Sequence, residues 1–276
     1  FQTSPELKHQ IEQNDIRIAA RTIRQDVLLE DMLADPKIKI QYASKYSSSS
    51  NGWKKWQGMK LAFDKLDIIG RAEREEAEFS AWVSQNEERS RKYGNVLKRL
   101  AEATNLGKET RIAYTKAAES IYRIELTNIA AAVKRYTDSE IDRGADTLKA
   151  LEIALEKAAA TYKDYSAPTD RKVTKAMLKY YIENAAREDW FEGLEDMDIE
   201  SFTDDLFDKS IFTSEALLKK GIQEKGYGIF KDPAYLAAQK IINKTYGLFM
   251  ASQKHDNEIN KARELYTAGL LEWKKG

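Results

Sequence analysis

Only four prolines interrupt 276 residues, and between them apolar side chains recur at helical spacing over long stretches. Proline fits a helix only in its first turn, so a chain with so few has little to stop its helices. The runs of Ala, Leu, Glu, Lys and Arg are strong helix formers. The thirteen glycines are too few for sheets closed by tight turns. Several of these stretches run to about 30 residues, or ~45 Å at the rise of an α-helix. A lone helix of that length needs partners along its apolar stripe. The fold class expected is therefore all-α, an elongated bundle of long antiparallel helices, with residues 1–276 as a single helical domain.

Local signals divide the chain. Ser4-Pro5-Glu6-Leu7 reads as a capped helix start, and the helix runs to Asp35-Pro36. A shorter helix is predicted from Lys37 to Tyr46, and Ser47–Ser50 as a loop. A long helix follows, with Trp53, Trp56, Met59, Phe63, Leu66, Phe79 and Trp82 on its apolar face and Gly70 and Gly94 as kinks. Asn105-Leu106-Gly107 reads as a stop. A second long helix is predicted from Lys108 to Ile141, and Gly144 separates it from Thr147–Tyr162. Ala167-Pro168-Thr169-Asp170 marks another boundary, after which helix resumes over Lys172–Ala186; Gly221, Gly226 and Gly228 make a loop, and Asp232-Pro233 opens a last helix from Ala234 to Trp273. No internal repeat is present.

Composition narrows the function. Lys+Arg and Asp+Glu both count 45, so no net field draws in a phosphate backbone, and nucleic acid is not an expected partner. No apolar run reaches the ~20 residues of a membrane span. With no cysteine, disulfides, thiolate nucleophiles and Cys-ligated metals are excluded. Phe1 is not a natural start, so a longer parent chain is expected.

Catalytic and metal signatures fail one by one. The two histidines, His9 and His255, carry no pattern of a Ser-His-Asp triad, and no G-x-S-x-G elbow occurs; both read as surface residues. Glu6-Leu-Lys-His9 has the Glu-x-x-His spacing of di-iron bundles, but those need two such pairs. Asp196-Met-Asp198-Ile-Glu200 starts like a calcium loop, yet Ser201 stands where the turn needs glycine and Phe207 where a bidentate glutamate belongs. The segment reads instead as a helix with an acidic wet face. Gly226-Tyr-Gly228 lacks the third glycine of a dinucleotide loop. No metal and no cofactor are expected. Trp53 and Trp56 could stack on a sugar or a peptide, but their spacing reads first as a buried stripe.

One stretch carries more. Tyr42-Ala-Ser-Lys-Tyr46-Ser-Ser-Ser-Ser-Asn51-Gly-Trp53-Lys-Lys-Trp56-Gln-Gly58 resembles a segment of the dipeptidyl-peptidase 7 and 11 family. Ile16-Arg17, Met32-Leu-Ala-Asp-Pro36, Leu66-Asp-Ile-Ile-Gly70-Arg and Glu75-Glu-Ala-Glu-Phe79 fit the same family, with weaker echoes at Phe207–Phe212 and Asp232–Tyr235. The resemblance implies a serine dipeptidyl aminopeptidase of the periplasm or outer surface of a Gram-negative bacterium. In that family two β-barrels carry the catalytic triad, and a helical domain inserted between them caps the cleft. This chain is similar to the cap alone, without the barrels, and by itself is expected to be inactive. Its expected partners are peptides with a free N-terminus and the parent's own β-barrel domain.

The resemblance also implies a role for Asn51: accepting a hydrogen bond from the substrate's α-ammonium, with Gly52 and Trp53 supporting the pocket. Gly52 stands where the family usually has tyrosine, which implies a larger pocket beside Asn51. Sequence alone reads Asn51 differently, as a helix cap after the serine run. Two other readings of the whole chain compete, a free-standing helical interaction or spacer module and, weakened by the histidine count, a helical metalloenzyme.

Overall fold

The computed structural model describes residues 2–275, without the side chains of residues 225–227. The described residues form thirteen α-helices joined by short 3-10 turns, with no strand among them. The all-α expectation holds. The chain gathers into two compact units, one formed by Phe1–Ile18, Trp53–Thr115 and Gly247–Gly276, the other by Ala19–Gly52 and Lys116–Tyr246.

Helix α1 (Ser4–Ala34) starts one residue away from the expected cap. Glu6 Oε2 accepts from both the backbone N–H (2.8 Å) and the hydroxyl (2.9 Å) of Thr3, the reach-back half of a capping box. Ser4 is not the cap because its N–H and hydroxyl are taken by Glu76. Helix α2 (Pro36–Lys65) opens as read, with Pro36 first and Asp35 Oδ1 accepting from Lys37 N at 2.7 Å.

The first unit adds α3 (Ile68–Ser84), α4 (Glu87–Tyr93), α5 (Val96–Leu106), most of α6 (Lys108–Glu119) and α13 (Asp256–Lys275). The long helix read from Trp53 onward breaks at Asp67, a left-handed residue with φ 48°; Gly70 lies in the first turn of α3 and Gly94 divides α4 from α5. The core is aromatic. Phe79 meets Tyr266 edge-on at 5.1 Å and Tyr93 at 6.2 Å, over Val83, Leu100, Ala262 and Leu270. Gly269 makes room for it, since a Cβ there would lie 2.8 Å from Phe79 Cζ.

The second unit adds α7 (Glu125–Asp142), α8 (Thr147–Ala159), α9 (Ala167–Asn184), α10 (Ile199–Lys209), α11 (Glu215–Lys225) and most of α12 (Pro233–Ser252). The predicted helix from Lys108 to Ile141 is two. The fully buried Asp170 on α9 accepts from Glu125 N (3.2 Å) and Leu126 N (2.7 Å) and so begins α7 afresh. The turn at Gly144, with φ +92°, folds α7 back against α8. Leu126, Val133, Leu151, Phe212 and Leu218 fill the interior.

Other boundaries move for similar reasons. Gly221 sits inside α11 with Ile211 packed on it, not in a loop, and residues Gly226–Lys231 form a 3-10 turn. The last helix is broken between α12 and α13, where Ser252 Oγ donates to the carbonyl of Phe249 at 2.6 Å. The acidic run is a helix with a wet face, as expected: Asp198 caps α10 by accepting from Ser201 N at 2.8 Å, and Arg171 bridges Asp204 and Asp208.

Candidate functional site on helix α2

Serine competes with the backbone for hydrogen bonds and is a weak helix former, yet α2 runs through Ser47–Ser50 without a break. The loop expected there is absent because Ser49 is buried and held from α1. Its hydroxyl accepts from Gln25 Nε2 at 2.9 Å and Arg24 Nη2 at 3.4 Å, and its carbonyl from Arg21 Nη1 at 3.2 Å. The two guanidiniums are anchored on the end of α6: Arg21 Nε donates to Glu119 Oε2 at 3.1 Å and Arg24 Nη1 to the Glu119 carbonyl at 3.3 Å. Burial lowers the Arg24 pKa to about 10, so it stays charged at neutral pH and depends on these acceptors.

The same face of α2 carries Lys45 and Tyr42, one and two turns earlier. Tyr42 Oη accepts from Ser166 N at 3.2 Å, and Lys45 Nζ reaches Glu125 Oε2 at 2.5 Å. Burial raises the carboxyl of Glu125, against the pull of Lys45. Arg21, Arg24, Lys45, Ser48, Ser49 and Glu125 line a cavity of about 390 Å³.

Asn51 stands two residues past Ser49, about 200° around the helix, so it points away from the clamp and is exposed. It lies well inside α2. An N-cap has non-helical dihedrals and sits at a helix start, so the cap reading is corrected by geometry. What remains is an exposed carboxamide one turn beyond Ser48, on a helix pinned from its other side. An amide oxygen of this kind can accept from an ammonium without burying a further charge.

Gly52 continues the helix and is half-buried. Trp53 and Trp56 are half-buried and stand outside the aromatic core of the first unit, so the buried-stripe reading is corrected; Arg17 lies 5.5 Å over the Trp56 ring. The residues that sequence reasoning missed are Arg21, Arg24, Gln25 and Glu119. Their signal was present in the spacing Arg21-x-x-Arg24, which puts two charges on the stripe shared with Leu28.

His9 is buried, not on the surface, and its ring nitrogens have no hydrogen-bond partner among the described residues. It therefore has neither the serine nor the carboxylate of a triad. Glu6, the other half of the Glu-x-x-His pair, is spent on Thr3 and on Arg263 Nη2 at 2.5 Å. No cluster of three or more His, Cys, Asp or Glu able to hold a metal occurs among the described residues. None of the described helices is long and apolar enough to cross a membrane.

The peptidase S46 family model matches residues 1–276. Dipeptidyl-peptidase 7 of Porphyromonas gingivalis is 31% identical over 96% of this chain and 38% of its own length. The Asp/Glu-specific dipeptidyl-peptidase of the same organism is 30% identical over 94% and 37%. Among solved structures, Porphyromonas endodontalis DPP11 in complex with the dipeptide Arg-Glu superposes with a TM-score of 0.86 at 26% identity, over 100% of this chain and 41% of that one. The chain thus spans about two fifths of the relatives' length. Predominantly helical with no strand among its described residues, and matched from end to end, the chain belongs to the peptidase S46 family.

Proposed function

We propose that this chain is the helical cap of a serine-type dipeptidyl aminopeptidase and that Asn51 reads the free N-terminus of its peptide substrates. The observation that carries the reading is the position of Asn51: exposed, inside a helix, with a part-buried arginine clamp on the opposite face fixing its direction. A group that counts residues from an N-terminus needs a fixed position, and helices provide it better than loops. Relatives named dipeptidyl-peptidases, and a superposable structure solved with a dipeptide, support the substrate class. The catalytic triad belongs to the parent's β-barrel domain, and the parent works in the periplasm or on the outer surface. An inserted cap leaves and re-enters its host at nearby points. Phe1 and Gly276 lie outside the described residues, but Ser4 and Lys274 both end on α3, at Glu76 and Glu75.

The test is Asn51→Ala in the full-length parent. A hydrogen bond to a charged group is worth about 1.5–3 kcal/mol, so kcat/KM on dipeptidyl substrates falls about 10- to 100-fold while the melting temperature stays unchanged. Unchanged kcat/KM in a folded Asn51→Ala enzyme sinks the ammonium role. The 276-residue chain alone turns over no dipeptidyl substrate; turnover blocked by a serine-directed inhibitor refutes the cap assignment.

A further inference from the structure

The first unit contains a cavity of about 360 Å³ lined by α1, α5, α6 and α13. A water's share of liquid volume is about 30 Å³, so the space admits a small molecule. Its lining is almost entirely polar, with Ile259 the apolar exception among the described residues. Three guanidiniums, of Arg17, Arg111 and Arg263, face two carboxylates, of Glu6 and Asp256. His9 adds no charge, because burial and then the Arg111 charge lower its pKa. The lining therefore keeps one positive charge in excess.

The pairing within the wall is selective. Arg263 Nη2 bonds Glu6 at 2.5 Å and Arg111 Nη2 bonds Asp256 at 3.0 Å. Arg111 Nη1 reaches the carbonyl of Thr104 at 3.3 Å. Both ring nitrogens of His9, the hydroxyl of Thr104 and Nε of Arg263 have no partner among the described residues. His9 is 7% exposed and Thr104 2%, so open solvent does not serve them. A neutral imidazole offers one donor and one acceptor, a hydroxyl offers both, and Nε–H donates. Donors therefore exceed acceptors at a wall that is already positive.

We infer that this cavity binds a small carboxylate that carries a hydrogen-bond donor beside it, the chemistry of an α-hydroxy or α-amino acid. The carboxylate takes the Arg263, Thr104 and His9 donors, and the neighbouring hydroxyl or ammonium gives to the remaining imidazole nitrogen. The unpaired atoms have almost no exposed surface although their residues line the cavity, so binding turns these side chains toward the ligand. The site is independent of Asn51, which lies in the other unit.

The test titrates the 276-residue chain with L-malate, L-alanine and propane-1,2-diol at matched ionic strength, by calorimetry and thermal melting. L-malate or L-alanine binds one to one with Kd of about 1 mM or tighter and raises the melting temperature; the diol, lacking a carboxylate, does neither. A response to L-malate alone assigns the hydroxy acid and a response to L-alanine alone the amino acid. Thr104→Val removes an unpaired hydroxyl at constant shape. It keeps or raises the melting temperature of the free chain and weakens binding roughly 5- to 10-fold. His9→Leu does the same. Absence of binding by both acids, equal binding of the diol, or undiminished affinity in both variants overturns the site.

Discussion

The two units weight their interiors differently. The first is held by an aromatic cluster, Phe79 with Tyr93, Tyr266, Trp82 and Trp273. The second combines a core of mixed aliphatic and aromatic residues with polar groups inside it: the part-buried Arg21 and Arg24 on the buried Glu119 at one place, the buried carboxyl of Asp170 under the start of α7 at another. Aromatic packing depends on shape. A buried charge depends on every one of its partners being present. The first unit meets that demand once, at Glu6 with Thr3 and Arg263; the unit that carries Asn51 builds its clamp on it. Its clamp holds a serine run in helical form where the sequence by itself favours a loop.

The comparison breaks hardest at Phe79. Phe79→Ala removes the ring that its neighbours share and costs about 3–5 kcal/mol, read as a shift in the urea midpoint. Glu119→Ala is the matching cut in the second unit. It leaves the part-buried Arg21 without the Glu119 carboxylate and costs about 2–3 kcal/mol, and hydrogen exchange of the backbone around Ser49 accelerates in the second unit before the aromatic core of the first responds.

Changing pH sharpens the contrast without a mutation, because the units respond in opposite senses. Desolvation lowers the pKa of His9, so the folded first unit disfavours the proton. Stability there falls as pH drops below the unfolded value of 6.5, and His9→Leu removes the dependence. Desolvation followed by the charge of Glu125 raises Asp170 from 3.8 to about 8, so the folded second unit favours its proton. Stability there falls as pH rises from about 4 towards 8, and Asp170→Asn flattens the slope. Exchange protection of α1 near His9 and of α7 near Leu126, followed from pH 5 to 8, separates the two. The same slope in both elements contradicts the contrast. The smallest effect is a gain: a Cβ at Gly58 in α2 meets nothing within 4 Å, so Gly58→Ala raises stability by about 0.5–1 kcal/mol.

Much of the helix plan was legible because its punctuation is local. Pro36, Gly107, Gly144, Pro168 and Pro233 each act on their own backbone, and each marks a boundary in the structure. The misread segments are those decided by distant partners. Ser47–Ser50 is helical because of side chains on α1, and the break after α6 depends on the carboxyl of Asp170 on α9. His9 is buried by helices far along the chain, which no local pattern announces. Asn51 was singled out through its motif neighbours, and its exposed, mid-helix placement came from the fold.

The unbroken course of α2 past Ser49 also restricts how this segment can change in evolution. A surface loop absorbs an added or lost residue with little penalty. A helix cannot, since each residue inserted or deleted between Ser49 and Asn51 turns everything downstream by about 100° and shifts it by about 1.5 Å. With Ser49 fixed by its donors from α1, such a change swings the carboxamide to another side of the rod. Lineages that keep a working Asn51 are thus expected to vary the outward serines freely in identity while leaving the length of the run untouched.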